Sequence, residues 1–99
     1  MPTKQTKLKT TRWDSAKYLK TEADMAEYLQ ACLDENDPAL VTHALGVIAR
    51  AKGMTSLARK TGLTREGLYK ALTANGNPEF ATVLKVVDAL GLKLHASAS

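Results

Sequence analysis

Residues 55–72 have the sequence TSLARKTGLTREGLYKAL, which predicts two short helices joined by a tight turn. Thr55 and Thr64 stand where a hydroxyl can cap a helix start. Gly62 lies between the two segments, where a left-handed turn is needed. Apolar side chains recur at the spacing of inward helix faces, at Leu57, Ala58, Leu63, Leu68, Ala71 and Leu72. The outer side chains are basic or polar, and an exposed basic helix held against a second helix fits a DNA major groove.

Side chains at the start of the second helix are the ones expected to read DNA. Thr64 would contact a phosphate through its hydroxyl or backbone N–H, and Arg65 is the best candidate for a bidentate contact to guanine. Glu66 would either accept a hydrogen bond from a cytosine amino group or orient Arg65. Gly67 in mid-helix costs about 1 kcal/mol relative to alanine, so we expect a close backbone approach there.

The other expected contacts are to the DNA backbone. Tyr69 and Lys70 are expected to reach phosphates rather than bases. Thr55 and Ser56 open the first helix and would offer backbone N–H groups to phosphates. Because one helix covers few base pairs, a homodimer that reads two half-sites about 34 Å apart on a double-stranded operator is the natural form.

The same stretch carries a family resemblance. Residues 57–58, 62–64 and 68 resemble the lambda-repressor-like helix-turn-helix of phage repressors. A longer match extends over IARAKGMT (48–55), GLTREGLYKAL (62–72) and GNPEFATVLKVVDALGL (76–92). This match is similar to the addiction-module antidote family and covers roughly Thr11 to His95.

The resemblance implies a bacterial antitoxin of a type II toxin–antitoxin module. Such a protein would neutralise a small basic toxin and repress its own operon. The residues alone leave a second interpretation open, a stand-alone phage-type transcriptional repressor with no toxin partner. Both interpretations need the same DNA-binding surface, and an adjacent short reading frame for a basic protein would separate them.

The chain has 99 residues, enough for one small domain. Aromatic residues make up 5% of it, so we expect an all-α, compact five-helix bundle with a core of aliphatic side chains. The domain is assigned to residues 12–96 and a short tail to 97–99. Residues 1–11 are rich in Lys and Thr and form a basic arm, which would either track DNA phosphates or be an unstructured tail.

Local signals place two helices before the central stretch. A capping box beginning at Thr21 predicts a helix over 22–35. Asp37 is the cap of the next helix, which has proline at its first position and is expected over 38–52. Gly53 is expected to end that helix.

Two further elements are expected after residue 72. Pro78 opens the last helix and Gly91 ends it. Its apolar side chains recur at three- and four-residue steps, at Phe80, Val83, Leu84, Val87 and Leu90. Residues 92–96 alternate apolar and polar side chains, which favours a short strand. Its edge would pair either with a second copy of the chain or with an N-terminal segment.

Charge is divided unevenly along the chain. Residues 1–20 carry a net charge of +5, residues 21–37 of −6 and residues 38–99 of +5, within an overall +4. The acidic block is either a solvated face or a surface that steers a basic toxin.

Candidate toxin contacts lie in and before the acidic block. Trp13, Tyr18 and Leu19, the last two in a helical turn that Asp14 would cap, would supply apolar anchors or would cover the core. Glu27 and Asp34 would supply the charges on the outer side of the following helix.

The inventory of reactive side chains argues against catalysis. Acids lie mainly on an exposed helix side, and Cys32 falls on an apolar face, so no nucleophile and base converge. His43 and His95 have no ligand partner at metal-binding spacing, so neither a metal nor a cofactor is expected. No apolar run of membrane-spanning length is present, and a cytoplasmic location is expected.

Overall fold

The computed structural model describes residues 19–73 and 75–98, in which five helices form the domain. They are α1 (Glu22–Leu33), α2 (Pro38–Lys52), α3 (Met54–Thr61), α4 (Arg65–Ala71) and α5 (Phe80–Ala89). No strand occurs in these two ranges, so the expected all-α five-helix fold is confirmed. The arm over 1–11, and Trp13 and Tyr18 with the turn expected around them, lie outside the described residues.

Side-chain caps begin the first two helices at the expected places. The Thr21 hydroxyl accepts a hydrogen bond from the Asp24 N–H at 3.0 Å, and the Asp24 carboxylate accepts from the Thr21 N–H at 3.1 Å. Asp37 accepts from the Ala39 N–H at 3.1 Å at the start of α2. These bonds satisfy donors that have no partner inside the helix, so the capping predictions are confirmed.

Helix α1 ends at Leu33, earlier than the expected Glu35. Asn36 adopts a left-handed conformation with φ of 57°, which turns the chain toward the Asp37 cap. Asn tolerates this conformation because its short polar side chain can bond locally. Asp34 and Glu35, which the sequence pattern placed in the helix, therefore follow its last residue.

The core is built around α2. Its residues 44–49 are buried without interruption, so α2 is covered on nearly every side. α2 packs against α1 and α3, and α3 packs in turn against α4 and α5. The largest fully buried side chains come from four of the helices and the residue after α5, and are Leu45, Ile48, Leu57, Leu68, Val86 and Leu90.

Two helix starts differ from expectation. Helix α3 begins at Met54 and its cap is Gly53, with φ of 116° and no side-chain cap bond, so the predicted Thr55 cap is wrong. The glycine supplies a backbone conformation that a residue with a side chain rarely adopts, and the helix restarts immediately after it. Helix α5 begins at Phe80 rather than Pro78, because Glu79 is still extended at ψ of 152°.

The end of α5 is closed by backbone hydrogen bonds around Gly91, as expected. The Gly91 N–H donates to the Asp88 carbonyl at 3.0 Å, and the Leu92 N–H donates to the Val87 carbonyl at 3.1 Å. With Gly91 at φ of 80°, this is a Schellman motif, which brings the buried Leu92 back onto the core.

The short strand expected over residues 92–96 is wrong. Residues 92–98 have no regular secondary structure. The described part of the chain provides no neighbouring strand edge, and a strand forms only when its backbone is paired. Leu92 and Leu94 instead pack as individual side chains against the core.

Only part of the apolar face of α5 packs against the core. Val86, which the repeat did not include, is buried together with Val87. Phe80 is 68% exposed and Leu84 is 44% exposed, so not every member of the apolar repeat faces the core. The apolar stripe of α5 is therefore wider than the surface that the other helices cover.

Candidate nucleic-acid interface

The turn between α3 and α4 is held by one glycine and one threonine. Gly62 has φ of 79°, the left-handed conformation that the sequence predicted, and its N–H donates to the Ala58 carbonyl. The Thr61 hydroxyl donates to the Leu57 carbonyl at 2.9 Å and accepts from the Leu63 N–H at 3.3 Å. The sequence pattern did not predict this role of Thr61, although threonine hydroxyls often bond nearby backbone groups at turns.

Helix α4 is capped by Thr64. The Thr64 hydroxyl accepts a hydrogen bond from the Gly67 N–H at 2.9 Å, which confirms the predicted cap. A Cβ atom at Gly67 would lie 3.0 Å from the same hydroxyl oxygen. The close approach expected at Gly67 therefore has an intramolecular partner, the cap itself.

Replacing Thr64 with alanine is expected to lower the free energy of unfolding by about 1 kcal/mol, because the Gly67 N–H loses its acceptor. The melting temperature should fall by about 4–8 °C. Thr64→Ser keeps the hydroxyl and should retain most of the stability. Equal melting temperatures for Thr64→Ala and the unsubstituted chain would contradict the role of the cap.

One aromatic contact orders the outer surface of α4. The Arg65 guanidinium carbon lies 5.8 Å from the centroid of the Tyr69 ring, one helical turn further on. A cation near an aromatic face is attracted to it by the ring quadrupole. Tyr69 is 39% exposed and Arg65 is exposed, so the pair forms a ridge facing solvent. Arg65 and Glu66, both of which are described, form no ion pair, so the Tyr69 ring is the contact that the structure shows for the guanidinium.

The other candidate DNA contacts are also at the surface. Glu66 and Lys70 are exposed on α4, Thr55 is exposed on α3, and Ser56 is half-buried. Leu68, on the opposite side of α4, is completely buried and anchors the helix. Helix α4 therefore has an accessible outer face and an inner face that is fixed by the packing of Leu68.

The neighbouring end of α3 adds positive charge. Arg59 and Lys60 lie in its last turn, where cations are favoured near the negative end of the helix dipole. Both are exposed. Together with Arg65 and Lys70 on α4, they give residues 54–72 four basic side chains and one acid, Glu66. The surface of this helix pair is therefore basic.

Residues assigned to toxin binding fall in a different part of the fold. Glu27 and Asp34 are exposed on α1 and at its C-terminal cap, and the Gln30 amide donates to Asp34 at 2.9 Å. Leu19 is only 5% exposed and packs in the core, so it offers little surface to a partner. α1 packs on α2, whereas α4 packs on α3, so the acidic and basic surfaces are on different helices.

Outside these two surfaces, the described residues hold one buried thiol and no metal-binding cluster. Cys32 is buried, as expected for an apolar-face cysteine. Residues 19–73 and 75–98 hold no cluster of His, Cys, Asp and Glu that could bind a metal ion. Within these ranges, none of the helices has the length and apolar character needed to cross a lipid bilayer.

Comparison with known proteins identifies the family. A family model described as "Probable addiction module antidote protein" matches residues 9–98, so this chain belongs to the addiction-module antidote family. It is similar to an uncharacterised protein of Haemophilus influenzae strain Rd, with 47% identity over 87 residues, covering 88% of this chain and 90% of the relative. No solved structure matches the chain.

Proposed function

We propose that this protein is a DNA-binding antitoxin that represses its own operon and neutralises a small basic toxin. Family membership supports the antitoxin role. The observation that carries the DNA-binding part is the basic outer face of α4, with Arg65 held on Tyr69 and the buried Leu68 behind it. A rigid helix with basic side chains on its accessible face has the geometry of a major-groove reader.

In this proposal α3 and α4 act as a helix-turn-helix of the lambda-repressor type. Arg65 makes a bidentate contact to guanine, and Glu66 accepts from a neighbouring cytosine amino group. Thr64, Tyr69 and Lys70 contact phosphates on either side and set the register of α4 in the groove.

Backbone N–H groups at Thr55 and Ser56 bind a further phosphate at the start of α3. A homodimer supplies a second copy of the same surface. The two copies together read half-sites about 34 Å apart on one face of the duplex.

Lys70→Ala is expected to weaken binding to operator and unrelated DNA alike, because a phosphate contact carries no sequence information. The slope of the logarithm of affinity against the logarithm of salt concentration should fall by about one unit. Fluorescence anisotropy at several salt concentrations measures both quantities. An unchanged slope would show that Lys70 does not neutralise a phosphate.

The toxin-binding part of the proposal rests on charge. Glu22 is paired with Lys52 at 3.0 Å, whereas Glu27 and Asp34 make no ion pair among the described residues. Exposed acids at these two positions would attract a basic protein and repel DNA, which keeps the two partners on separate surfaces. A bacterial cytoplasm is the compartment where both partners occur.

The proposal is tested by two assays on the full-length chain. Anisotropy with the promoter DNA upstream of its gene should give specific binding, in excess of unrelated DNA of equal length. Coexpression with a small basic protein from an adjacent reading frame should yield a stable complex. Specific DNA binding without any complex would identify a stand-alone repressor, and a complex without DNA binding would remove the operator from the proposal.

A further inference from the structure

A groove on the side of the molecule formed by α1, α2 and α5 is lined mainly by apolar side chains. Its volume is about 410 Å³. Leu29 and Leu33 come from α1, Val41 from α2, and Val83 and Val87 from α5. This volume lies within the range of pockets that bind ligands in proteins.

Exposed apolar side chains extend the groove along α5. Phe80 lines it and is 68% exposed, and Leu84, one helical turn further on, is 44% exposed. The apolar surface therefore continues beyond the concavity onto the outer side of the helix. An elongated apolar strip of this kind is better covered by a helix of another protein than by a compact small molecule.

Acidic side chains line or adjoin the groove at the turn between α1 and α2 and at the start of α5. Asp37 is the charged residue among its described lining side chains. Asp34 and Glu35 immediately precede the lining turn at Asn36, and Glu79 stands between the lining residues Pro78 and Phe80; all three acids are exposed.

Lys85 and Lys93 are close in sequence to residues of the groove, but neither lysine lines it. Lys85 of α5 lines a polar concavity with Lys52 and Lys60. Lys93 lines a third concavity beside Glu27, which adjoins the groove through the shared residues Leu29, Leu33 and Leu94. The groove is therefore apolar at its centre and acidic along the part of its rim formed by residues 34–37 and Glu79.

We infer that this groove is the surface on which the toxin docks, through an amphipathic helix with apolar residues on one face and Lys or Arg at its flanks. The inference rests on the proposed antitoxin function and names the contact surface for that partner. Phe80 is the apolar anchor, and Asp37 and Glu79 are the charges that select a basic helix. A second copy of this chain fits less well, because it would set the same acidic rim against itself.

Phe80→Ser tests the anchor. Phe80 is mostly exposed, so the substitution should leave the thermal melt and operator affinity unchanged. By calorimetry, affinity for a small basic protein from an adjacent reading frame should fall by about 30-fold or more. Lys85→Ser is the matched control, an exposed side chain on the polar side of α5, and should bind that protein normally.

Asp37→Asn combined with Glu79→Gln tests the rim. Asparagine keeps the cap of α2, and Glu79 makes no side-chain cap bond, so both changes remove charge without removing structure. Affinity should fall about two- to tenfold at low salt, mainly through slower association, and the difference should shrink at high salt. Asp88→Asn, in the polar concavity, is the matched control and should have no effect.

Overlapping peptides from the same basic protein locate the docking helix. Peptides that combine Lys or Arg with apolar residues at three- and four-residue steps should bind the unsubstituted chain and lose binding to Phe80→Ser. If the full complex forms with equal affinity for Phe80→Ser, the groove is not the docking surface although the antitoxin function stands. If no complex forms with the unsubstituted chain, the antitoxin function fails and the inference with it. Loss of self-association in Phe80→Ser, with toxin affinity unchanged, would assign the groove to a homodimer instead.

Discussion

Replacing Gly46 with alanine is expected to destabilise the fold by about 2 kcal/mol. A Cβ atom at this position would overlap the backbone carbonyl oxygen of Leu72, the residue that caps the end of α4. A backbone atom cannot rotate aside, so α2 and α4 would have to separate, at a cost of about 3 kcal/mol. Alanine is the better helix former by about 1 kcal/mol, which offsets only part of this cost.

Thermal and urea unfolding measure the Gly46 effect. A loss of about 2 kcal/mol corresponds to a melting temperature lower by about 8–16 °C. Gly67→Ala is the matched control, because the nearest atom there belongs to the rotatable hydroxyl of Thr64. At Gly67, the helix gain of about 1 kcal/mol and partial loss of the cap should nearly cancel. Equal stability of the Gly46 variant and the unsubstituted chain would mean that α4 is not held by close contact with α2.

Arg65→Ala is expected to weaken specific operator binding by about 1–3 kcal/mol, roughly 5- to 150-fold, and to relax the preference at one base position. The guanidinium is the group proposed to contact guanine, and its position over the Tyr69 ring orders it before DNA arrives. Arg65→Lys should restore charge but not base preference, because an ammonium group cannot make the planar bidentate contact. Lys93→Ala, an exposed cation in the segment after α5, is the matched control and should change neither quantity.

A double-mutant cycle tests whether the ring acts through the arginine. Arg65→Ala and Tyr69→Ala should be coupled by about 0.5–1 kcal/mol in operator affinity, since each substitution removes the same contact. Strictly additive effects would mean that the ring does not orient Arg65 and that Tyr69 acts only through its own phosphate contact. Unchanged affinity for Arg65→Ala on every operator variant would remove this residue from the reading surface and would require another side chain in its place.

Local chemistry made several parts of the structure predictable. The Thr21 capping box, the Asp37 cap and the Gly62 turn depend on residues within a few positions of one another. Their hydrogen bonds are short-range, so the sequence specifies them before any tertiary contact forms. The burial of Leu57 and Leu68 follows in the same way, because helical periodicity alone separates the inner from the outer face of each helix.

Other features depended on what the rest of the chain provides. Periodicity placed Phe80 and Leu84 on the apolar side of α5, but only packing determines how much of that side the neighbouring helices cover. The alternation after Gly91 suggested a strand, and a strand requires a paired edge that the described helices do not offer. The close contact between Gly46 and Leu72 likewise joins residues distant in sequence.

For this protein, the order and type of the helices and the basic composition of α4 can be read from the amino-acid sequence, because caps, turns and periodicity act over a few residues. The tertiary structure was needed for the apolar groove with its acidic rim and for the close contact between Gly46 and Leu72. Both arise where residues that are distant in sequence meet in space. Such distances depend on how the helices pack, which no short window of sequence contains.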